Sequence, residues 1–404
     1  MSQRPLRAAC IAAVLLLAGP VPQAGAEPAN PTAPHPAAPA APAAPAPESV
    51  GVLLTRLQGL YQKAEEATEA YNATEVALKA GQDEERLRSA ELGKARGALD
   101  AEKALAGRLA REQYQGTRGA LSPYARMLLA KDPQSALDER RLAAREGARR
   151  AGVLDRLTRS RNEADALAAR ARKALETQQA LAARKKAHKD EVATQLKEVE
   201  RLLASLTPAQ LAQLGAREAA DTAAAQRELV DSGRLPTRTG TPTAAGGAAL
   251  SYAAAQIGKP YVWGAEGPAS FDCSGLTSQA WAHAGRAIPR TSQEQWARLP
   301  KVPLDQLRPG DLVVYFPKAT HVGLYIGGGK VIQAPRPGAR VKVSPIAANP
   351  LLGAVRPDPD GTPLAEFTPP QLPDEAAAGD DTGYSSEEAP TESTEATEAE
   401  TSAR

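Results

Sequence analysis

Two side chains in the last third of the chain suit acyl chemistry, Cys273 and His321. Cys273 lies in Phe271-Asp272-Cys273-Ser274-Gly275, where Asp272 is a favourable helix N-cap. Leu276, Ala280, Trp281 and Ala284 then recur on one helical face before Gly285. A thiol in the first turn of a helix feels unpaired backbone N–H groups and the positive dipole end, which favour the attacking thiolate. A free cysteine is equally often a small buried apolar residue, and the spacing alone leaves both readings open. His321 opens a strand-like run, His321 to Ile326, and an imidazole there can take a thiol proton and return it to a leaving amine.

The surrounding pattern is α+β. Gly258-Lys259-Pro260-Tyr261-Val262-Trp263-Gly264 precedes the cysteine helix. Strands are expected at Asp311–Phe316 after the Pro309-Gly310 turn, at His321–Ile326, at Lys330–Gln333, and at Arg340–Ser344. A helix carrying a thiol followed by an antiparallel sheet carrying a histidine is the layout of a thiol peptidase. Gly327-Gly328-Gly329-Lys330 is not a phosphate loop, because Val331 stands where Ser or Thr is needed; a hairpin turn is expected. His283 is ten residues beyond the thiol on the same helix and reads as a surface residue, and Trp281 as core. The four histidines are scattered, so no metal site and no cofactor are expected.

Gly258 to Gly264, Asp272 to Gly275, His321 to Gly327 and Val331-Ile332-Gln333-Ala334-Pro335 together resemble the NlpC/p60 family of papain-like cell-wall peptidases. The resemblance implies a helix packed on an antiparallel sheet and cleavage of the γ-D-glutamyl–diaminopimelate bond of peptidoglycan stem peptides. By the same resemblance Cys273 matches the nucleophile, His321 the base and Gln333 the third catalytic position, most often a second histidine in the family. An amide oxygen there can orient the imidazole but adds no charge. Tyr261 matches a family tyrosine whose hydroxyl would support the oxyanion together with the Cys273 N–H. Asp272 and Ser274 match cleft positions, Asp272 facing a stem-peptide amine; Arg290 and Ser292 flank the cleft, and Trp263 is core or cleft wall. The competing function is a wall-binding or activator protein that has lost catalysis and acts through its helices.

The rest of the chain divides by composition. Residues 1–26 read as a secretory signal, with Arg4 and Arg7, an apolar run from Ala8, and Ala24-Gly25-Ala26 for cleavage. That run is too short to span a bilayer, and Cys10 would leave with it. A secreted, wall-associated protein with a single remaining thiol is therefore expected, since an odd cysteine outside the cell points to reactivity or intermolecular pairing. Residues 27–48 are an Ala/Pro spacer; 49–232 repeat apolar residues at three–four spacing, as in Leu53, Leu57, Leu60, Ala64, Ala67 and Tyr71. Gly116, Gly119, Pro123 and Pro133 break the pattern, which predicts an antiparallel coiled-coil hairpin with small helices at its tip. Parallel dimerisation is the competing arrangement. No binding chemistry is evident in this block beyond shape, charge and an apolar tip, though a long hairpin offers a lever or lid by which the peptidase would be regulated. It resembles the coiled coils of secreted actinobacterial wall hydrolases, which implies a cell-division membrane complex as a partner at the tip. Residues 233–247 form a Gly/Pro/Thr linker, 248–357 the peptidase domain, and 358–404 an acidic tail expected to be disordered. The net charge of +2 hides a basic body behind that tail. Nucleic acid is disfavoured, for aromatic and basic residues do not interleave.

Overall fold

The computed structural model describes residues 49–373 and 376, apart from 117–120, 122, 130, 131 and 239. The signal, the Ala/Pro spacer and the acidic tail beyond 376 lie outside the described residues.

Two long helices dominate the first half, α1 (Val50–Gly116) and α3 (Pro133–Ala204), with the short α2 (Pro123–Leu128) between them. Pairs across the hairpin run in opposite senses: Lys185 with Glu75, Arg156 with Glu102, Arg149 with Glu112. The helices are therefore antiparallel within one chain. Asp132 starts α3 by accepting the Ser135 N–H at 2.8 Å, with proline at the first position where no N–H is missed. A capping box of Thr207 and Gln210 starts α4 (Pro208–Asp231). α4 bridges the two halves: Leu214 packs with Leu53 and Leu57 at the hairpin base, while Leu229 packs with Val313, Tyr325 and Val331 of the sheet.

The second half begins with α5 (Ala244–Ala254), α6 (Cys273–His283) and α7 (Ser292–Arg298). A six-stranded antiparallel sheet follows, in the order β1-β6-β2-β3-β4-β5. Its strands are β1 (Lys301–Val302), β2 (Leu312–Tyr315), β3 (His321–Gly327), β4 (Lys330–Gln333), β5 (Lys342–Pro345) and β6 (Leu351–Val355). The expected strands appear within two residues of their places; β1, β6 and α7 were not read from the sequence. Alternation sorts the two faces of β2: Leu312 and Val314 join the core under α5 and α6, Val313 and Tyr315 the layer under α4. Trp281 is wholly buried in the first core, as its helical spacing implied.

Two segments depart from the composition-based reading. Within 233–247, Thr241 bonds the Leu364 carbonyl and Thr243 caps α5 and bonds Asp358. Beyond 357, Arg308 holds Asp358 at 2.9 Å and Phe367 packs against Gly247, so residues to 373 lie on the domain. A buried ion pair and one aromatic ring give this polar stretch something to bury, which composition alone conceals.

The same core receives Ala64, Ala67 and Tyr71 from α1 and Val192 and Leu196 from α3. The hairpin is thus seated on the domain through apolar contacts. Leu196→Ala, at a position 3% exposed, should cost about 2–4 kcal/mol, read as a shift of the denaturant midpoint.

Candidate active site

Asp272 precedes α6 and its carboxylate accepts the Gly275 N–H at 2.6 Å, which fixes where the helix starts and holds Cys273 in its first turn. The chain must pass close here: a Cβ on Gly275 would run into the Ala265 carbonyl. Asp272 also accepts Nη1 and Nη2 of Arg290 at 3.0 and 2.7 Å and the Gly264 N–H at 3.0 Å. Arg290 continues to the Ser274 hydroxyl at 2.8 Å and to Glu266 at 2.7 Å. The carboxylates of Asp272 and Glu266, against the cost of burial, hold the guanidinium above its usual range.

His321 begins β3 and is fully buried. Its Nε2–H donates to the Gln333 amide oxygen at 2.6 Å from the neighbouring strand β4. Nδ1 therefore faces away from Gln333, into the cleft. Burial lowers His321, but the Glu65 carboxylate and the Gln333 bond outweigh it and hold the ring above its ordinary pKa.

Glu65 comes from α1. Its Oε1 lies 3.4 Å from His321 Nδ1. One turn on, Glu69 Oε1 accepts the Ser274 hydroxyl at 2.7 Å and lies 3.8 Å from the Cys273 sulfur, while its Oε2 accepts the Ser292 N–H at 2.9 Å. Asn72 donates its amide to Asp272 at 3.0 Å, and Tyr71 meets Trp263 edge to face at 5.1 Å. Glu65 and Glu69 are one turn apart on α1, and the charges of both act on the Cys273 thiol and on the His321 ring, so sulfur and ring face the same stretch of helix. The fold thus brings Cys273, His321, Gln333, Asp272, Ser274, Arg290 and Ser292 together, with α1 laid across them. Tyr261 and Trp263 line the same core. His283 stands apart, exposed and stacked on Tyr252. Among the described residues no cluster fits a metal ion.

This arrangement corrects two sequence expectations. The helical block does supply chemistry to the cleft, through Glu65, Glu69 and Asn72. The only signal was a run of polar residues beside the seam positions Ala64, Ala67 and Tyr71, too common on any helix to read. The thiol, expected to ionise readily at its helix start, is instead pushed well up, by burial first and then by Glu69, Asp272 and Glu65. Glu69 is itself pushed up to about 7, by burial and then by Asp272. Burial, with the Cys273 and Asp272 charges, likewise raises Tyr261 well above its usual value. The covered dyad is chemically quiet.

Beside the covered dyad, a groove of about 1050 Å³ lies between the hairpin and the domain, lined by Tyr71, Lys185, Glu266 and Arg290 among others. That volume suits a peptide-sized ligand. Within the seal itself, Glu65 Oε2 and Asn72 Oδ1 find no hydrogen-bond partner among the described residues. Each such buried atom costs about 1–3 kcal/mol, which offsets part of what the apolar contacts of α1 contribute.

Residues 258–352 match the NlpC/P60 family. A probable endopeptidase of Corynebacterium glutamicum is 50% identical over 100 residues, 24% of this chain and 48% of that protein. A probable endopeptidase of Mycobacterium tuberculosis is 39% identical over 119 residues, 28% of this chain and 31% of that protein. The chain thus spans half or less of these two relatives. Among solved structures, the NlpC/p60 domain of the peptidoglycan hydrolase SagA is 36% identical, with 28% of this chain and 97% of that one covered and a TM-score of 0.26. RipD of Mycobacterium tuberculosis, a non-catalytic NlpC/p60 domain protein adapted to peptidoglycan binding, is 32% identical, with 28% and 96% covered and a TM-score of 0.26.

If α1 shields the sulfur, Cys273 alkylation should be slow in the native chain. Thr68→Arg puts a long cation on the buried face of α1, where Thr68 is 3% exposed. It should speed iodoacetamide labelling about tenfold or more, in proportion to the fraction of open molecules.

Proposed function

We infer, for a chain whose residues 258–352 are an NlpC/P60 domain, that it is a peptidoglycan endopeptidase held at rest by its own helical hairpin. The observation that carries this reading is the oriented imidazole: the Gln333 amide oxygen accepts a hydrogen bond from Nε2–H at 2.6 Å, which leaves Nδ1 directed at the cleft where Cys273 opens α6. A non-catalytic fold has no need of a buried base held in one tautomer beside a thiol.

With α1 lifted, water and substrate replace Glu65 and Glu69. His321 Nδ1 accepts the Cys273 proton, and the sulfur attacks the γ-D-glutamyl carbonyl of a stem peptide. The tetrahedral oxyanion is held by the Cys273 N–H and the Tyr261 hydroxyl. His321 returns the proton to the departing diaminopimelate amine, leaving a thioester. Water, deprotonated by the same ring, then releases the glutamyl carboxylate and restores the thiol. Gln333 keeps the ring aimed through both steps but gives the imidazolium no counter-charge. Asp272, fully buried and shared among Arg290, Gly264 and Asn72, positions Ser274 and the helix start; once Asn72 leaves, Asp272 Oδ2 keeps its bonds from Arg290 and Gly264 and has the place of the Asn72 amide open to a substrate amine.

The chain would act outside the cell, at the wall, after export by its first residues. Leu128 and Leu129, 80% and 68% exposed near the hairpin tip, are where a division-linked membrane partner would grip to pull α1 away. The reading of a wall-binding protein without catalysis draws its support from the raised thiol.

One digestion separates the two readings. Defined muropeptides incubated with Thr68→Arg should yield fragments ending in γ-D-glutamate, and adding Cys273→Ala should reduce that yield on the order of 10³-fold or more. Binding without cleavage by the opened chain would establish the non-catalytic reading.

A further inference from the structure

Docking α1 gathers an unbalanced set of charges into one sealed cluster. Glu65 and Glu69 from α1 and Asp272 from the α6 start are 6%, 2% and 0% exposed, and the guanidinium beside them, Arg290, pairs with Asp272 alone of the three. Arg290 is further shared with Glu266 at 2.7 Å. The other groups facing the cluster are the Cys273 thiol, the Tyr261 hydroxyl and the His321 ring. At the rim, Lys318 is taken by Glu66 at 2.9 Å and Lys185 of α3 by Glu75 at 2.9 Å, so neither enters. The bond to Gln333 uses the Nε2 proton, so Nδ1 of a neutral ring and Glu65 Oε1, 3.4 Å apart, are both acceptors. They tolerate each other only with a further proton between them.

We propose that α1 is an acid-locked plug: the hairpin takes up protons as it seats on the cleft, so it holds in acid and lets go as its surroundings turn neutral to alkaline. The effect on catalysis rests on the endopeptidase reading; the seating itself does not. Undocked, Glu69 returns to water on an exposed helix face and gives its proton up.

The direction follows from linkage. Glu69 rises from 4.5 to about 7 in the seated state, through burial and then Asp272, so seating draws a proton between those values. It weakens by up to about tenfold per pH unit across that window and levels off above it. His321 is raised above 6.5 when seated, by Glu65 against burial, so its contribution is complete below 6.5 and is lost as pH rises through the seated value. The thiol, pushed up by burial and by Glu69, disfavours seating further once it ionises. All three act in one direction.

The test uses the full chain. Cys273 alkylation is measured from pH 5 to 8 and divided, at each pH, by the rate for Thr68→Arg, which cancels the intrinsic titration of the thiol. The ratio should climb by up to about a hundredfold from pH 5 to 7. Acrylamide quenching of tryptophan in the unsubstituted chain, where Trp263 is 5% exposed beneath Tyr71, should rise over the same range. Glu69→Gln imitates the protonated plug and should remain slow to label at pH 8. A ratio constant within about threefold, quenching that does not rise, or a Glu69→Gln chain as open at pH 8 as the unsubstituted one would overturn the proposal. Labelling and quenching read seating and not hydrolysis. A chain that opens with pH yet cleaves no muropeptide sinks the endopeptidase reading and leaves this one standing.

Discussion

A single carboxylate organises the site. Asp272, fully buried, accepts the N–H that starts α6, two guanidinium nitrogens of Arg290, the Gly264 N–H and the Asn72 amide. A lone buried carboxylate is very costly, and removing one partner of a buried pair costs about 3–5 kcal/mol, so each donor is constrained to its place by the others. The start of the cysteine helix, the loop before it, the Arg290 segment and the hairpin converge on one point for that reason.

The domain and the hairpin share a core but are joined by two kinds of contact with different consequences. Ala64, Ala67, Tyr71, Val192 and Leu196 bury apolar surface and supply attraction without direction. Glu65, Glu69 and Asn72 supply register, because each reaches a particular polar partner in the cleft. These polar contacts are imperfect: excess negative charge and two unpaired oxygens offset part of the apolar gain. A plug built only of leucines would hold permanently. One with unpaired polar atoms in its contact surface is held less firmly.

The thiol is quieted by the same contacts. A thiol at a helix start should ionise readily, yet water is excluded from the sulfur and acidic groups surround it. Desolvation and like charge outweigh the helix dipole, which contributes of order 1 kcal/mol even in favourable geometry. The base suffers no such fate, since Glu65 favours its charged form. Both shifts favour the proton-bearing forms of the thiol and the ring in the docked state.

Much of this was legible in the linear chain because the relevant signals are local. Asp272 before an amphipathic run marks a helix start, β-branched runs between glycine turns mark β2 to β5, and the three–four seam with its proline break marks the hairpin. The residues of the NlpC/P60 domain could be named because their order and spacing are set by one compact unit. The short β1 and β6 escaped, for two- and five-residue strands beside turns carry little pattern and exist only through their neighbours. The particular residues by which the hairpin covers the cleft escaped for a deeper reason. Glu65 and Asn72 stand 200 or more residues from what they touch, and a solvated helix face and one that covers a cleft have the same composition. Side-chain type and local period are properties of the chain; whether a carboxylate meets water or a buried thiol is decided only when distant surfaces pack.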